Sequence, residues 1–314
     1  MQKIIPNFLV GGPPKCASTS LNFYLKQHPE IFMSPVKQTK FFSLDYEKGI
    51  DFYLQTYFSG VANEKMVGEA TPTYFLLPFV VERIKNFNPD MKIILCLRDP
   101  VERAFSGWSM RMNNGTEDLP FREAIKENIR QRETLTFIGE EGAKHWYTDQ
   151  KRNNRQDDAG YRTYIQGSMY AFNLKNYYQC FHPSRIKVIF LDGLKKDLHG
   201  TMKEIFTFLS VDPEYKIQNT EQKNTYKKSK IKLLEPVLGK NKKLSKMLSG
   251  MMPKSFKKKI LDTMYVEGSK DRITTEDRKF VYEIFKDEIA ELEKLLNVDL
   301  SRWKIADELI QAKI

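Results

Sequence analysis

Three short apolar runs, separated by long amphipathic segments, constrain the fold of this chain more than any other feature. The runs lie at residues 4–10, 92–97 and 186–191. Each is too continuously apolar for a strand with one face in water, which is typical of parallel strands buried on both faces. Segments long enough to be helical crossovers between such strands lie at residues 78–88, 99–113, 169–181 and 199–210. The pattern predicts an α/β three-layer sandwich with a central parallel sheet.

The remaining segments fit a single domain that spans residues 1–314 and carries three additions. Residues 114–166 are polar and predict an insertion. Residues 274–296 have apolar positions at helical spacing behind a capping Thr274, which predicts a terminal helix. Residues 223–259 carry thirteen lysines and one acid, so this stretch accounts for the net charge of +11.

The basic stretch 223–259 has two interpretations, a solvated helical face or a basic lid for an anionic substrate, cofactor or membrane. Its only aromatic residues are Tyr226 and Phe256, too few to stack single-stranded bases, and no nucleic-acid partner is expected. Apolar residues between the lysines keep a basic membrane-surface-binding protein open as an alternative.

The expected cellular compartment follows from three features of the sequence. No apolar stretch reaches the ~18 residues of a membrane span, and the first residues do not resemble a signal peptide. The three cysteines are odd in number and scattered, which favours reduced thiols. We therefore expect a soluble cytoplasmic protein. Since the four histidines have no ligand-spaced partners, no metal is expected. The oligomeric state is left open.

The first apolar run ends in Gly11-Gly12-Pro13-Pro14, and a helical pattern starts at Ser18. A strand, a Gly-rich turn and a helix start together place free backbone amides around an anion. One hydroxyl would serve as a simple helix cap, whereas Ser18, Thr19 and Ser20 behind Lys15 favour a phosphate site. The order Gly-Lys-Ser/Thr is absent, which weakens the alternative of a P-loop-like ATP-dependent kinase.

A second anion site is indicated where the run 92–97 ends. Arg98 follows that run and precedes Asp99-Pro100, with Ser106 two helical turns further on. Ligands of open α/β sheets bind at the carboxyl ends of strands, where an arginine fork and a hydroxyl can meet one phosphate. Taken alone, the same residues also fit a helix start with an arginine on its rim.

Several sequence motifs taken together resemble those of the sulfotransferases that use 3′-phosphoadenosine 5′-phosphosulfate (PAPS), in particular the heparan-sulfate type and the bacterial carbohydrate type. LRDPVERAFS resembles their 3′-phosphate segment, and KCASTSL is similar to their Lys-x-Gly-Thr-Thr/Ser-x-Leu loop. QHPEIFMSPVKQTKFFS and GEATPTYF extend the likeness. The resemblance implies a P-loop-like sulfotransferase fold, an enzyme without a metal, PAPS as donor, and an acceptor hydroxyl on a carbohydrate or glycolipid. The insertion 114–166 would line the acceptor side.

The resemblance also assigns roles to residues. Lys15 would stabilise the leaving group and, with Ala17, Ser18, Thr19 and Ser20, bind the 5′-phosphate. Arg98 and Ser106 would bind the 3′-phosphate. Lys223 and Tyr226 loosely resemble a late loop that closes over the adenosine. Ala17 replaces the glycine of the family, and we expect the loop to avoid a left-handed conformation there.

The acceptor must lose a proton, and here the sequence departs from its relatives. Gln38 stands where heparan-sulfate-type relatives carry the glutamate base, and an amide cannot accept that proton. Three explanations are open. In the first, Gln38 orients the acceptor while Glu69 or Asp45 is the base. In the second, the chain is a low-activity form, and in the third, the acceptor hydroxyl is acidic enough to lose its proton with little help. Glu69 is the first candidate for the base, and a positioning salt bridge to Lys15, Lys37 or Arg98 is its alternative role.

Overall fold

The structure is a computed structural model that describes residues 5–134, 162–220, 227–229, 265–267 and 272–305. The main sheet consists of β1 (Phe8–Gly11), β2 (Ile31–Met33), β3 (Met66–Ala70), β4 (Lys92–Leu97) and β5 (Ile186–Phe190). The helices are α1 (Ser18–Leu25), α2 (Gly49–Phe58), α3 (Pro78–Phe87), α4 (Pro100–Asn113), α5 (Phe121–Thr134), α6 (Tyr170–Cys180), α7 (Leu191–Lys196), α8 (Leu198–Leu209) and α9 (Thr275–Leu296).

The five strands are parallel and lie in the order β2-β3-β1-β4-β5. The central strand β1 pairs with β3 through Leu9 and Glu69, and with β4 through Gly11 and Leu95. The carboxyl ends of β3, β1 and β4 therefore meet at one edge, where ligands of such sheets bind. This arrangement confirms the predicted parallel sheet. The sequence did not reveal β2, because a strand of three residues is too short for a readable pattern.

Helices cover both faces of the sheet, which confirms the three-layer prediction. Along β1, Leu9 belongs to one apolar core while Phe8 and Val10 belong to the other, as expected for side chains that alternate across a strand. The first core includes residues of α3, α6 and α9, and the second includes residues of α1 and α8. The crossover segments predicted from the sequence correspond to α3, α4, α6 and α8.

The predicted insertion 114–166 is more regular than its polar composition suggests, because it contains α5. Arg162 donates two hydrogen bonds, of 2.7 and 2.8 Å, to the carboxylate of Glu117, and both side chains are buried. Asn128 on α5 also donates to the backbone oxygen of Arg162 at 2.6 Å. The two ends of the insertion are thus joined to each other, and its later end is also joined to α5, while residues 135–161 lie outside the described part.

The terminal helix α9 begins where the sequence predicted, with the Thr274 hydroxyl accepting a hydrogen bond from the Asp277 amide at 3.1 Å. The chain divides into two compact units, residues 1–223 with 273–314, and residues 224–272. The second unit contains an antiparallel pair, β6 (Lys227–Ser229) and β7 (Tyr265–Glu267). A helical segment was predicted for residues 227–229, but they form a strand. The reason lies in the pairing partner, because Tyr265 and Val266 are strand-forming residues that offer an edge for pairing.

The remaining residues of the basic stretch 223–259 lie outside the described part, and the prediction of one domain over 1–314 stays a prediction. None of the described helices is long and apolar enough to cross a bilayer.

Candidate active site

The loop between β1 and α1 lies against the neighbouring strand β4. Gly12 has a φ of 87°, and a Cβ at this position would lie 2.9 Å from the backbone oxygen of Cys96. A side chain at residue 12 would therefore meet both backbone strain and a steric clash. The sequence element Gly11-Gly12 lets the loop leave β1 directly beside the end of β4.

Ala17 lies at the point where this loop becomes α1, and its conformation contradicts the expectation from the sequence. Its φ is 61° and its ψ is 14°, so it adopts the left-handed conformation that alanine was expected to avoid. Lys15 also has a positive φ, of 78°. The loop keeps the backbone path that a glycine would favour and accepts the strain of a Cβ, which is about 1–2 kcal/mol for a residue in this region.

Replacing Ala17 with glycine should therefore make the protein more stable. Relief of the left-handed strain outweighs the added freedom of the unfolded chain, and we expect a gain of up to about 1 kcal/mol in the free energy of unfolding. Urea denaturation measures this change. The matched control is Ala290→Gly inside α9, where glycine should cost about 1 kcal/mol. A loss of stability in the Ala17 variant as well would contradict the strain argument.

The first turn of α1 carries three hydroxyl side chains and no negative charge. Ser18, Thr19 and Ser20 are its first three residues, and the turn has no acidic side chain and no side-chain cap at Ala17. The free amides of a first turn and the helix dipole favour a negative charge at this place. The hydroxyl of Thr19 accepts a hydrogen bond of 2.6 Å from the Lys37 ammonium, which brings a second lysine to the loop that carries Lys15.

Arg98, at the end of β4, contacts the loop that carries Lys15. Its guanidinium donates to the backbone oxygen of Lys15 at 3.4 Å. Its other terminal nitrogen lies 3.3 Å from the carboxylate of Glu102, one turn into α4. Residues of the two predicted anion sites therefore lie side by side at the carboxyl edge of the sheet.

The start of α9 reaches the same site through an arginine. Arg278 pairs with Asp99, and its other nitrogen lies 3.4 Å from Glu102, so Glu102 bridges Arg98 and Arg278. Asp99 also caps α4 through the amide of Val101 at 2.8 Å. Ser106, on α4, lies one turn beyond Glu102 on the same helix face, so its hydroxyl continues the polar row that begins at Arg98.

Residues 34–40 follow β2 and lie along the carboxyl end of β3. The amides of Ser34 and Gln38 donate to the backbone oxygens of Gly68 and Ala70 at 2.8 and 3.0 Å. Gln38 and Lys40 both have positive φ values, 61° and 59°. Strained backbone of this kind persists where the surrounding structure holds it, and it is common at functional sites.

Glu69 is held in a fully buried cage of hydroxyl groups. Its carboxylate accepts hydrogen bonds from Thr39, Thr71, Tyr53 and Tyr74, at 2.7, 2.6, 2.9 and 3.3 Å. Its exposed fraction is 0%. Burial raises the pKa of Glu69 above its ordinary value, and the four hydroxyl donors offset part of that rise. Through Thr39, the carboxylate fixes the turn that presents Gln38.

Cys16, in the loop, and Arg103, on α4, are both buried. Burial raises the pKa of the Cys16 thiol to about 11, so at neutral pH the thiol stays protonated and is a poor nucleophile. Arg103, on α4, donates to the hydroxyl of Ser168 at 2.7 Å and to the backbone oxygens of Thr163 and Tyr164. These bonds fix the end of the insertion to α4, the helix that follows Arg98.

Sequence reasoning missed two of these contacts. The hydrogen bond from Lys37 to Thr19 joins residues 18 positions apart. In the sequence, the only sign of a role for the segment around Lys37 was the motif KQTKFF. The pairs made by Arg278 join residues about 180 positions apart, and no local signal marks that arginine. Lys223 and Tyr226, the predicted late-loop residues, lie outside the described part of the chain.

Comparison with known proteins gives a consistent family. The model of the family described as "Sulfotransferase domain" matches residues 6–295. The membrane-associated sulfotransferase kil1 of Dictyostelium discoideum is 29% identical over 201 residues, which is 62% of this chain and 42% of that protein. The bifunctional heparan sulfate N-deacetylase/N-sulfotransferase 4 of Mus musculus is 26% identical over 301 residues, 93% of this chain and 30% of that protein. This chain thus spans less than half the length of these relatives.

Among solved structures, a sulfotransferase from Alicyclobacillus acidocaldarius superimposes with a TM-score of 0.65 at 24% identity, covering 96% of this chain and 99% of that one. This similarity confirms the predicted P-loop-like sulfotransferase fold.

Proposed function

Because this chain belongs to the sulfotransferase family, we propose that it transfers a sulfuryl group from PAPS to an acceptor hydroxyl, with a saccharide as the acceptor class. The observation that carries this proposal is the contact of 3.4 Å between the Arg98 guanidinium and the backbone oxygen of Lys15. It supports a single site in which the two ends of one bisphosphorylated nucleotide are bound from neighbouring strands.

The donor set fits an anionic nucleotide. In our proposal the first-turn amides and hydroxyls of Ser18, Thr19 and Ser20 hold the 5′-phosphate together with Lys15, while Arg98 and Ser106 hold the 3′-phosphate. Ala17 contributes through its backbone. Bound PAPS would supply the activated sulfuryl group. Lys15 places an ammonium beside the oxygen on which charge builds, and preorganised charge of this kind lowers the barrier of group transfer.

On the acceptor side we propose that Gln38 orients the acceptor and that Glu69 acts as a positioning residue. Complete burial within four hydroxyl donors supports positioning, because a general base must come within hydrogen-bond reach of the proton it takes. The acceptor proton then goes to water or to a residue outside this pair. The proposal of a saccharide acceptor rests on the relative named for heparan sulfate.

The kinase alternative loses support, because the family model matches most of the chain and the loop lacks the Gly-Lys-Ser/Thr order. The loop residues Lys223 and Tyr226, a cytoplasmic location and a membrane contact through residues 223–259 stay predictions. The Dictyostelium relative is itself named as membrane-associated. A vesicle-pelleting assay with and without residues 224–272 addresses the membrane contact.

Calorimetry with adenosine 3′,5′-bisphosphate (PAP), the spent donor, tests the donor. We expect PAP to bind without any metal and ATP with Mg²⁺ to bind at least tenfold more weakly, since ATP has no 3′-phosphate for Arg98. Binding of ATP with Mg²⁺ but not of PAP would overturn the proposal in favour of a kinase.

A screen of oligosaccharides with labelled PAPS tests the acceptor, and mass spectrometry of the product locates the added group. Sulfate on oxygen supports the proposal, whereas sulfate on nitrogen alone would replace the hydroxyl acceptor with an amine.

A further inference from the structure

The backbone on either side of Lys37 holds this residue beside the loop between β1 and α1. The amides of Ser34 and Gln38, on either side of it, bond to β3 at 2.8 and 3.0 Å. Its ammonium donates to the Thr19 hydroxyl at 2.6 Å. A lysine side chain normally keeps much rotational freedom, whereas this one is held at both its backbone and its tip. The ammonium therefore has a defined position over the first turn of α1.

The charges around Lys37 are unbalanced. Within the described residues, Lys37 makes no ion pair with a carboxylate, and its side chain is half-buried. Burial, together with the nearby positive charge of Lys15, lowers the pKa of Lys37 below its ordinary value. Two like charges that a fold holds beside each other repel, and an anion placed between them removes this cost. The pair therefore indicates a ligand group that carries negative charge at this point of the loop.

We infer that Lys37 is a second catalytic lysine, which contacts the sulfuryl oxygens of the donor from the side of the site that presents Gln38. This inference rests on the proposed function. Lys15 belongs to the loop that would hold the 5′-phosphate, and Lys37 comes from the acceptor-side segment 34–40, so the sulfuryl group would lie between the two ammonium groups.

The transfer step defines what Lys37 contributes. The acceptor oxygen forms a bond to sulfur, the bond from sulfur to the bridging 5′-phosphate oxygen breaks, and the electron pair of that bond stays on the bridging oxygen. The acceptor proton passes to a base or to water. Lys37 exchanges no proton in this step, because a bound anion raises its pKa and keeps the ammonium charged. It holds the moving sulfuryl group in line and stabilises its oxygens.

The substitution Lys37→Met tests this assignment, since methionine keeps the length of the side chain and removes the charge. We expect the turnover number with PAPS to fall by about 10²-fold, while the affinity for PAP, which has no sulfuryl group, changes by less than about fivefold. Lys26→Met, at an exposed lysine after α1, is the matched control and should leave both values unchanged.

The pH profile separates a catalytic from a structural role. Because the pKa of Lys37 is lowered, kcat/KM of the wild type should decline on the alkaline side below pH 10.5, the ordinary lysine value. In Lys37→Arg the guanidinium stays charged, so activity should return in part and the decline should move to higher pH. If Lys37→Met does not fold, the shift of the alkaline decline in Lys37→Arg alone decides between a catalytic and a structural role.

Two outcomes overturn the inference while leaving the proposed function intact. One is a Lys37→Met enzyme with turnover within threefold of the wild type. The other is an equal loss of PAP affinity and turnover with an unshifted profile in Lys37→Arg, which would make Lys37 a support for Thr19. A wild-type protein that binds no PAP would instead contradict the proposed function itself.

Discussion

Replacing Lys15 with alanine is expected to lower the turnover number of PAPS-dependent sulfation by about 10²- to 10³-fold. The ammonium would stabilise the charge that builds on the oxygen leaving sulfur, and no neighbour in the loop can take its place. Both lysine and alanine carry a Cβ, so the positive φ of 78° at this position costs the same in each. The free energy of unfolding should therefore change by less than about 0.5 kcal/mol.

Single-turnover kinetics measures this effect on the chemical step, and thermal unfolding provides the stability control. Lys15→Arg should recover only part of the activity, since a planar guanidinium is not placed like an ammonium. Turnover near that of the wild type in Lys15→Ala would remove Lys15 from the chemistry and leave the loop as a binding element only.

Replacing Gln38 with glutamate is expected to raise the turnover number by about 10²-fold, the lower end of what a positioned general base contributes. The two side chains have the same shape and carry the same cost at a φ of 61°. The amide bond from residue 38 to Ala70 involves only the backbone and should persist. Lys37 directly precedes residue 38 in the chain, and its positive charge would favour an ionised carboxylate there, so the gain should be present at neutral pH.

Two further variants make the Gln38→Glu result interpretable. Gln38→Met removes the amide at nearly constant size, and a rise in KM for the acceptor would support an orienting role. Glu69→Gln should lower thermal stability while keeping the pH profile of the rate. If Gln38→Glu gives no gain and Glu69→Gln abolishes turnover with a changed profile, the base is Glu69 and the positioning role proposed above is wrong.

The parallel sheet and its crossover helices were readable from the sequence because burial on both faces leaves continuous apolar runs, such as residues 92–97. The terminal helix was readable for a similar local reason, since its cap and its apolar spacing lie within one segment. The strand β2 and the helix α5 were not predicted. The first is too short for a period, and the second combines a polar surface with a buried contact from Asn128 to Arg162, which lies 34 positions further along the chain.

The sequence by itself determined the sheet, the loop with its lysine and hydroxyls, and the arginine after β4, because each depends on residues close together in the chain. Only the tertiary structure decided that Arg98 contacts the backbone of Lys15, that Lys37 binds Thr19, and that hydroxyl groups enclose Glu69. Those contacts depend on which strands lie side by side, and strand order is set by long-range packing that no local pattern records. The left-handed Ala17 belongs to this second group, because the loop overrides the preference of the residue itself.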